Sequence, residues 1–216
     1  MKSVRLKFSK KGRLKFISHL DLNRLLIRTV RMAKIPIWYT EGFHPHPYIN
    51  IALPLSLGHT GENEILDIKI LDDNINGDQI VSALNAVCPL DLKFSKAYEP
   101  QQKTANIGFA EYEIAFSDDG EIYNNLEAFL KSEQIICNKK TKKGDIKQIN
   151  IAPDIKSYKL ENSNNTKLFL TLPAGSEKNI NPELLITAFY EQYSDRFYCY
   201  SVNRTAILDK NENIFK

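Results

Sequence analysis

The order in which hydrophobic period changes along the first hundred residues restricts the fold more than any other feature of this sequence. Val4 to Phe8 alternates Arg5 and Lys7 with Val4, Leu6 and Phe8, the period of a strand with one buried face. Ser18 then opens a helix. With Asp21 three residues later it forms an S-x-x-D capping box, and Leu22, Leu25, Leu26, Thr29 and Ala33 follow at helical spacing until Pro36 stops the run. Ile37–Tyr39, Tyr48–Leu53 and Ile65–Leu71 read as extended. A second helix, Asp78 to Val87, ends before Pro89, and Leu92–Tyr98 returns as a strand.

These elements spell β-α-β-β-α-β, the split βαβ or ferredoxin-like motif of an antiparallel sheet with two helices on one face. Residues 107–216 repeat the order. Tyr112–Phe116 is a strand and Ile122–Ser132 a helix, and Ile135–Asn138 with Lys147–Ile151 forms a hairpin. Strand Lys167–Leu172, a helix opened by Asn181 and Pro182, and a last strand from Phe197 to Leu208 complete it. Pro182 suits a first helical position, where its missing N–H costs nothing. The expectation is an α+β protein of two tandem ferredoxin-like halves with antiparallel sheets, residues 1–99 and 107–216. Glu99 to Asn106, with Pro100 and two glutamines, is the linker.

Charge is distributed unevenly. The net +3 conceals eleven Lys/Arg against only Asp21 and Glu41 in residues 1–60, while the rest of the chain is acidic. Such a field steers polyanions, or else is a solvated basic face. No apolar run approaches the ~20 residues of a membrane span, and the N-terminus has no signal-peptide core. A cytoplasmic protein without membrane contact is expected. Cys88, Cys137 and Cys199 are dispersed and odd in number, which fits reduced thiols better than a disulfide framework or metal knuckle.

On the first helix Arg24, Arg28 and Arg31 share one face, with Asp21 the nearby acid, and planar guanidiniums suit phosphate recognition. Lys11, Arg13 and Lys15 precede that helix and extend the patch. In Glu41-Gly42-Phe43-His44-Pro45-His46-Pro47-Tyr48 the prolines enforce extended backbone, so that His44 and His46 project to one side. All four histidines, His19, His44, His46 and His59, lie in this region. Imidazole is the commonest metal ligand, yet neither H-E-x-x-H nor paired cysteines accompany them, so no metal is assigned. They are read as hydrogen-bonding groups toward phosphate or a base, or as structural histidines. Tyr39, Phe43 and Tyr48 are either base-stacking platforms or core residues. A second basic cluster, Lys139, Lys140, Lys142, Lys143 and Lys147, marks the hairpin of the second half, as a phosphate clamp or a solvated turn. No G-x-x-x-x-G-K-[ST] or G-x-G-x-x-G loop is encoded, and the cysteines are too far apart to hold a 4Fe-4S cluster.

With those residues in view the chain resembles the radical SAM-associated family DUF2344. The resemblance rests on Gly12-Arg13-Leu14-Lys15-Phe16-Ile17-Ser18-His19-Leu20-Asp21-Leu22, on Arg24, Arg28 and Arg31, and on Gly42-Phe43-His44-Pro45-His46-Pro47. It continues through Ala52-Leu53-Pro54-Leu55-Ser56-Leu57-Gly58 and Glu64-Ile65-Leu66-Asp67, and more thinly at the lysine hairpin and Val202-Asn203-Arg204-Thr205. The sequence departs from the pattern at Met32, His44, Asn150 and Ala152. What the resemblance implies is a partner, a B12-binding radical SAM enzyme carrying SAM and the 4Fe-4S cluster, with no cofactor in this chain. The tandem reading is also similar in fold to the RAMP-superfamily RNA-processing proteins, although their C-terminal glycine-rich loop is not evident.

The resulting expectation is an RNA-binding accessory subunit for a radical SAM enzyme that modifies tRNA or rRNA. Arg13, Lys15, Arg24, Arg28, Arg31, His44, Tyr48, Lys140 and Lys143 are its candidate nucleic-acid contacts. The alternatives are a metal-independent RAMP-like ribonuclease with His19 or His46 as the catalytic base, and a protein–protein adaptor that binds no RNA.

Overall fold

The computed structural model describes residues 1–117, 122–140, 144–162, 164–193 and 198–216. The chain is α+β and divides into two compact units, residues 1–106 with 214–216, and residues 107–213. No helix among the described residues is long and apolar enough to cross a membrane.

The first unit runs β1 (Lys2–Lys10), α1 (His19–Met32), β2 (Ile49–Ile51), β3 (Thr60–Ile70), α2 (Gly77–Asn85) and β4 (Leu92–Tyr98). Its strands lie in the order β4-β1-β3-β2, and every ladder is antiparallel. Alternation puts Val4, Leu6 and Phe8 of β1 and Leu66, Ile68 and Ile70 of β3 into one core. There they meet Leu22, Leu26 and Val30 of α1 and Ile80 and Leu84 of α2. Each such fully buried side chain contributes about 1.5–3 kcal/mol of transfer free energy. Leu26→Ala in this core would cost about 2–5 kcal/mol.

Helix α1 starts where the sequence indicates. The Ser18 hydroxyl accepts the Asp21 N–H at 3.1 Å, but the reciprocal bond differs from a capping box, because the Asp21 carboxylate takes the Ser18 hydroxyl proton at 2.7 Å. The helix ends in a Schellman motif, with Lys34 N–H on the Arg31 carbonyl and Ile35 N–H on that of Val30, so Lys34 adopts a left-handed φ of 53°. Pro36 then prevents any restart. Of the extended segments expected next, Ile37 and Tyr39 make only isolated bridges, to Ile70 and Pro47, and the strand over 48–53 shortens to β2.

The second unit runs β5 (Ile107–Phe116), α3 (Tyr123–Leu130), β6 (Ile136–Lys140), β7 (Ile146–Asn150), β8 (Ser157–Asn162), β9 (Thr166–Pro173), α4 (Pro182–Tyr193) and β10 (Tyr200–Asp209). Pro182 does open α4. Strands follow the antiparallel order β10-β5-β9-β8. The sequence reading misses β8 and gives its place to the lysine hairpin. In the structure β6 and β7 form a separate two-stranded sheet, and α4 caps the β6 side, where Cys137 Sγ donates to the Leu184 carbonyl and Gln192 Nε2 to that of Ile136. Phe129 of α3 and Phe189 of α4 meet edge to face at 5.5 Å in this unit's core. The expected start of the last strand, Phe197, lies outside the described residues.

Candidate nucleic-acid interface

The connection from β1 to α1 is a 3₁₀ turn, Gly12–Phe16, fixed from two sides. Asp91 takes the Lys11 N–H on its carbonyl at 2.9 Å and the Arg13 N–H on its carboxylate at 2.8 Å. Gly12 has φ +50°, and a Cβ there would fall 2.4 Å from Asp91 Oδ1, so the conformation favours glycine and a side chain would displace the Asp91 carboxylate. Across the turn the Lys15 carbonyl accepts the Gly58 N–H at 2.7 Å. This frame leaves Arg13 exposed and Phe16 67% exposed, with Lys15 Nζ 5.0 Å over the Phe16 ring.

Arg24, Arg28 and Arg31 all lie on the exposed side of α1, opposite Leu22, Leu26 and Val30. They are not equivalent. Arg24 pairs with Asp21 at 3.0 Å, an exposed i,i+3 bridge of little energetic weight. The Ser18 hydroxyl first, and Arg24 second, hold the Asp21 carboxyl below its ordinary pKa. Arg31 Nε donates to the Tyr39 hydroxyl at 3.2 Å. Arg28 makes no ion pair among the described residues.

Residues 41–46 do not form a strand, so the alternation on which the expected projection of His44 and His46 to one side rested is absent. A closed loop replaces it. Tyr39 bridges Pro47, and the Thr40 N–H donates to the His46 carbonyl at 2.9 Å. The His46 N–H donates to Thr40 Oγ1 at 3.2 Å, while its Nδ1 lies 3.0 Å from Thr40 Oγ1 and 3.2 Å from the His44 carbonyl. At the tip Phe43 is fully exposed, at 102%. His19, His44 and His46 are exposed and His59 is buried. Among the described residues no group of three His, Cys, Asp or Glu is placed to hold a metal.

Tyr48 belongs to a different surface, the sheet face away from the helices. It packs against Trp38 with ring centroids 5.9 Å apart, and Lys69 Nζ lies 4.7 Å from its ring and 4.9 Å from that of Trp38. It also lines a cavity of about 610 Å³ with Asn50, Asp67 and Arg5. Arg5, 1% exposed, meets Asp67 through two bonds of 2.7 Å, donates to the Gln102 carbonyl at 3.0 Å and stacks 4.5 Å from the Phe215 ring. On the same face burial first, then Lys96 and Lys216, lowers the pKa of Lys7.

The sequence reading names neither Asp91 nor the Arg5–Asp67 pair. A signal for the pair exists, since Arg5 and Asp67 are the polar members of two alternating strands and prove to be register partners. Of the hairpin candidates in the second unit, Lys140 closes β6 opposite Ile146, and Lys143 lies outside the described residues.

The sequence model of the family described as "Uncharacterized protein conserved in bacteria (DUF2344)" matches residues 3–182. No curated protein matches the chain.

Proposed function

This chain belongs to the DUF2344 family, and from that premise we propose that it is an RNA-binding accessory protein that serves a separate radical SAM enzyme in tRNA or rRNA modification. The observation that carries the reading is Phe43. A phenylalanine wholly in solvent on a proline-stiffened, hydrogen-bonded loop adds nothing to the core, yet it presents an aromatic face next to His44 on a loop whose base, Tyr39 bridged to Pro47, receives the Arg31 guanidinium. Unpaired RNA bases stack on such faces while guanidiniums take the phosphates. In this reading each unit is one ferredoxin-like half, the protein works in the cytoplasm, and SAM and the 4Fe-4S cluster belong to the partner.

The test is retention of total cellular RNA at low and moderate salt. Wild type retains RNA with a steep salt dependence, and the Arg24/Arg28/Arg31→Ala triple variant has a shallower slope. Phe43→Ala loses about 1–3 kcal/mol of binding, the usual worth of one stacked base, with unchanged stability. Absent or salt-insensitive binding by wild type would overturn the proposal.

The metal-independent ribonuclease is the second reading, favoured by one observation. When His46 Nδ1–H donates to the His44 carbonyl, the lone pair of the neutral ring is on Nε2, the arrangement of a general base. RNA cleavage by the isolated chain, abolished in His46→Ala, would establish it; intact RNA would eliminate it.

A further inference from the structure

The second unit has a cation cluster that the proposed RNA face does not use. Lys139 on β6 and Lys147 on β7 are register partners, directly opposite across the hairpin. Like charges so placed destabilise a ladder, and β6–β7 is a sheet of two strands with little stability of its own. Lys178, from the segment before α4, brings a third ammonium to the same cavity of about 550 Å³, within the range of small-ligand sites.

The remaining polar groups have the same bias. Among the described residues Asp154 is the one acidic residue lining the cavity, and its carboxylate is paired with Lys178. Lys139 reaches only the Asn179 carbonyl, at a long 3.5 Å, and Lys147 has no ion pair among the described residues. The Asn150 side-chain oxygen accepts the N–H groups of Ile135 and Ala152 at 2.9 and 3.1 Å, which leaves its NH₂, a donor, for a ligand. Among the described residues three ammonium groups and one amide donor therefore face one hollow against a single carboxylate, Asp154.

We propose that this cavity is a phosphate site, in which Lys139, Lys147 and Lys178 neutralise the phosphoryl oxygens and the Asn150 amide orients them. The chemistry is shared by a small phosphorylated ligand and by an RNA phosphodiester, and the cost of opposing Lys139 to Lys147 is offset only when the anion lies between them. The proposal stands independently of the Phe43 reading.

The experiment is calorimetric titration of the full chain with inorganic pyrophosphate, at ionic strength matched with sodium chloride. Wild type binds saturably, and affinity falls about tenfold for each lysine neutralised, the usual worth of a charge-assisted bond. The Lys139→Gln/Lys147→Gln variant is at least as heat-stable as wild type in low-salt, phosphate-free buffer, since its repulsion is gone. The Arg24/Arg28/Arg31→Ala variant binds pyrophosphate as wild type does, so failure of the RNA-face reading leaves this result untouched. A second arm uses a short oligouridylate: binding that is tighter than that of pyrophosphate and lost in the double variant identifies an RNA strand, whereas binding equal in both proteins identifies a small phosphorylated ligand. No saturable pyrophosphate binding by wild type, or unchanged binding in both the double variant and Lys178→Gln, which lies outside the hairpin, would overturn the proposal.

Discussion

Removing the Asp67 carboxylate strands the Arg5 guanidinium, and the structure sets the size of the effect. Asp67→Ala deletes both partners at 2.7 Å and leaves a cation that is 1% exposed with only the Gln102 carbonyl and the Phe215 ring. Orphaning one member of a buried pair costs about 3–5 kcal/mol. The Asp67 side chain is 15% exposed, so water can enter the vacated space, and the lower end, about 3 kcal/mol, applies. With a urea slope of about 2 kcal/mol/M, the midpoint falls by about 1.5 M. Trp38 is the sole tryptophan and belongs to the first unit, so its fluorescence follows the unfolding of the unit that contains the pair. The control is Arg5→Met/Asp67→Leu, which removes both charges and should lie within about 1 kcal/mol of wild type. An Asp67→Ala cost below about 1 kcal/mol, or a double variant as costly as the two single changes together, would refute the argument that a desolvated charge fastens residues 99–106 and Phe215 to the sheet.

Asp21 makes acid sensitivity local. Its folded pKa is depressed, by the Ser18 hydroxyl first and Arg24 second, so its contribution is present above the ordinary carboxylate value and is lost as pH falls through the depressed one. Amide protection in the first turn of α1, taken against the unstructured rate at the same pH, should fall over that interval in wild type and be low throughout in Asp21→Asn. Thiol labelling at pH 8 should be ordered: exposed Cys199 first, part-buried Cys88 later, and Cys137, pushed up to about 11 by burial and then by Glu191, only on unfolding. Lys34→Gly should stabilise the first unit by about 0.5–1 kcal/mol in urea, because the left-handed conformation at φ 53° costs lysine more than glycine loses in chain entropy.

What could be read from the sequence was whatever local chemistry decides. Ser18 caps α1, Pro182 opens α4, and the Val4-Leu6-Phe8 alternation faces the core, because each depends on neighbours within a few residues. Strand β8 escaped notice for an equally physical reason. Among the described strands it pairs only with β9 and is exposed along most of its length, so its alternation rests on two residues, Tyr158 and Leu160, between polar neighbours, a weaker signal than Val4-Leu6-Phe8. Residues 41–46 looked extended because two prolines disfavour helix, but a proline cannot specify that Thr40 and the His44 carbonyl close around His46. The basic character of residues 1–60 was plain from composition; that Arg24 pairs with Asp21, Arg31 leans on Tyr39 and Arg28 has no ion pair among the described residues depends on side-chain placement.

Finding β8 changes the meaning of the lysine hairpin. If β6–β7 supplied the middle strands of the second unit, its lysines would be turn residues of a structural ladder. With β8 in that position the hairpin is an addition within residues 131–156, the connection from α3 to β8, outside the ladder β10-β5-β9-β8. The corresponding connection in the first unit, residues 33–48 between α1 and β2, contains the Phe43–His46 loop. Within their units β2 and β8 each pair, among the described strands, with a single neighbour, β3 and β9; the connections entering them bury Ile35 and Ile37, and Ile135, Cys137 and Ile151, while Phe43, Lys139 and Lys147 stay exposed. Both candidate sites thus occupy the same place in the connectivity, where the cost of an exposed phenylalanine or of two opposed lysines falls on a connection and not on a core. Neither feature improves stability, and both present groups of the kind a phosphate-bearing ligand would engage.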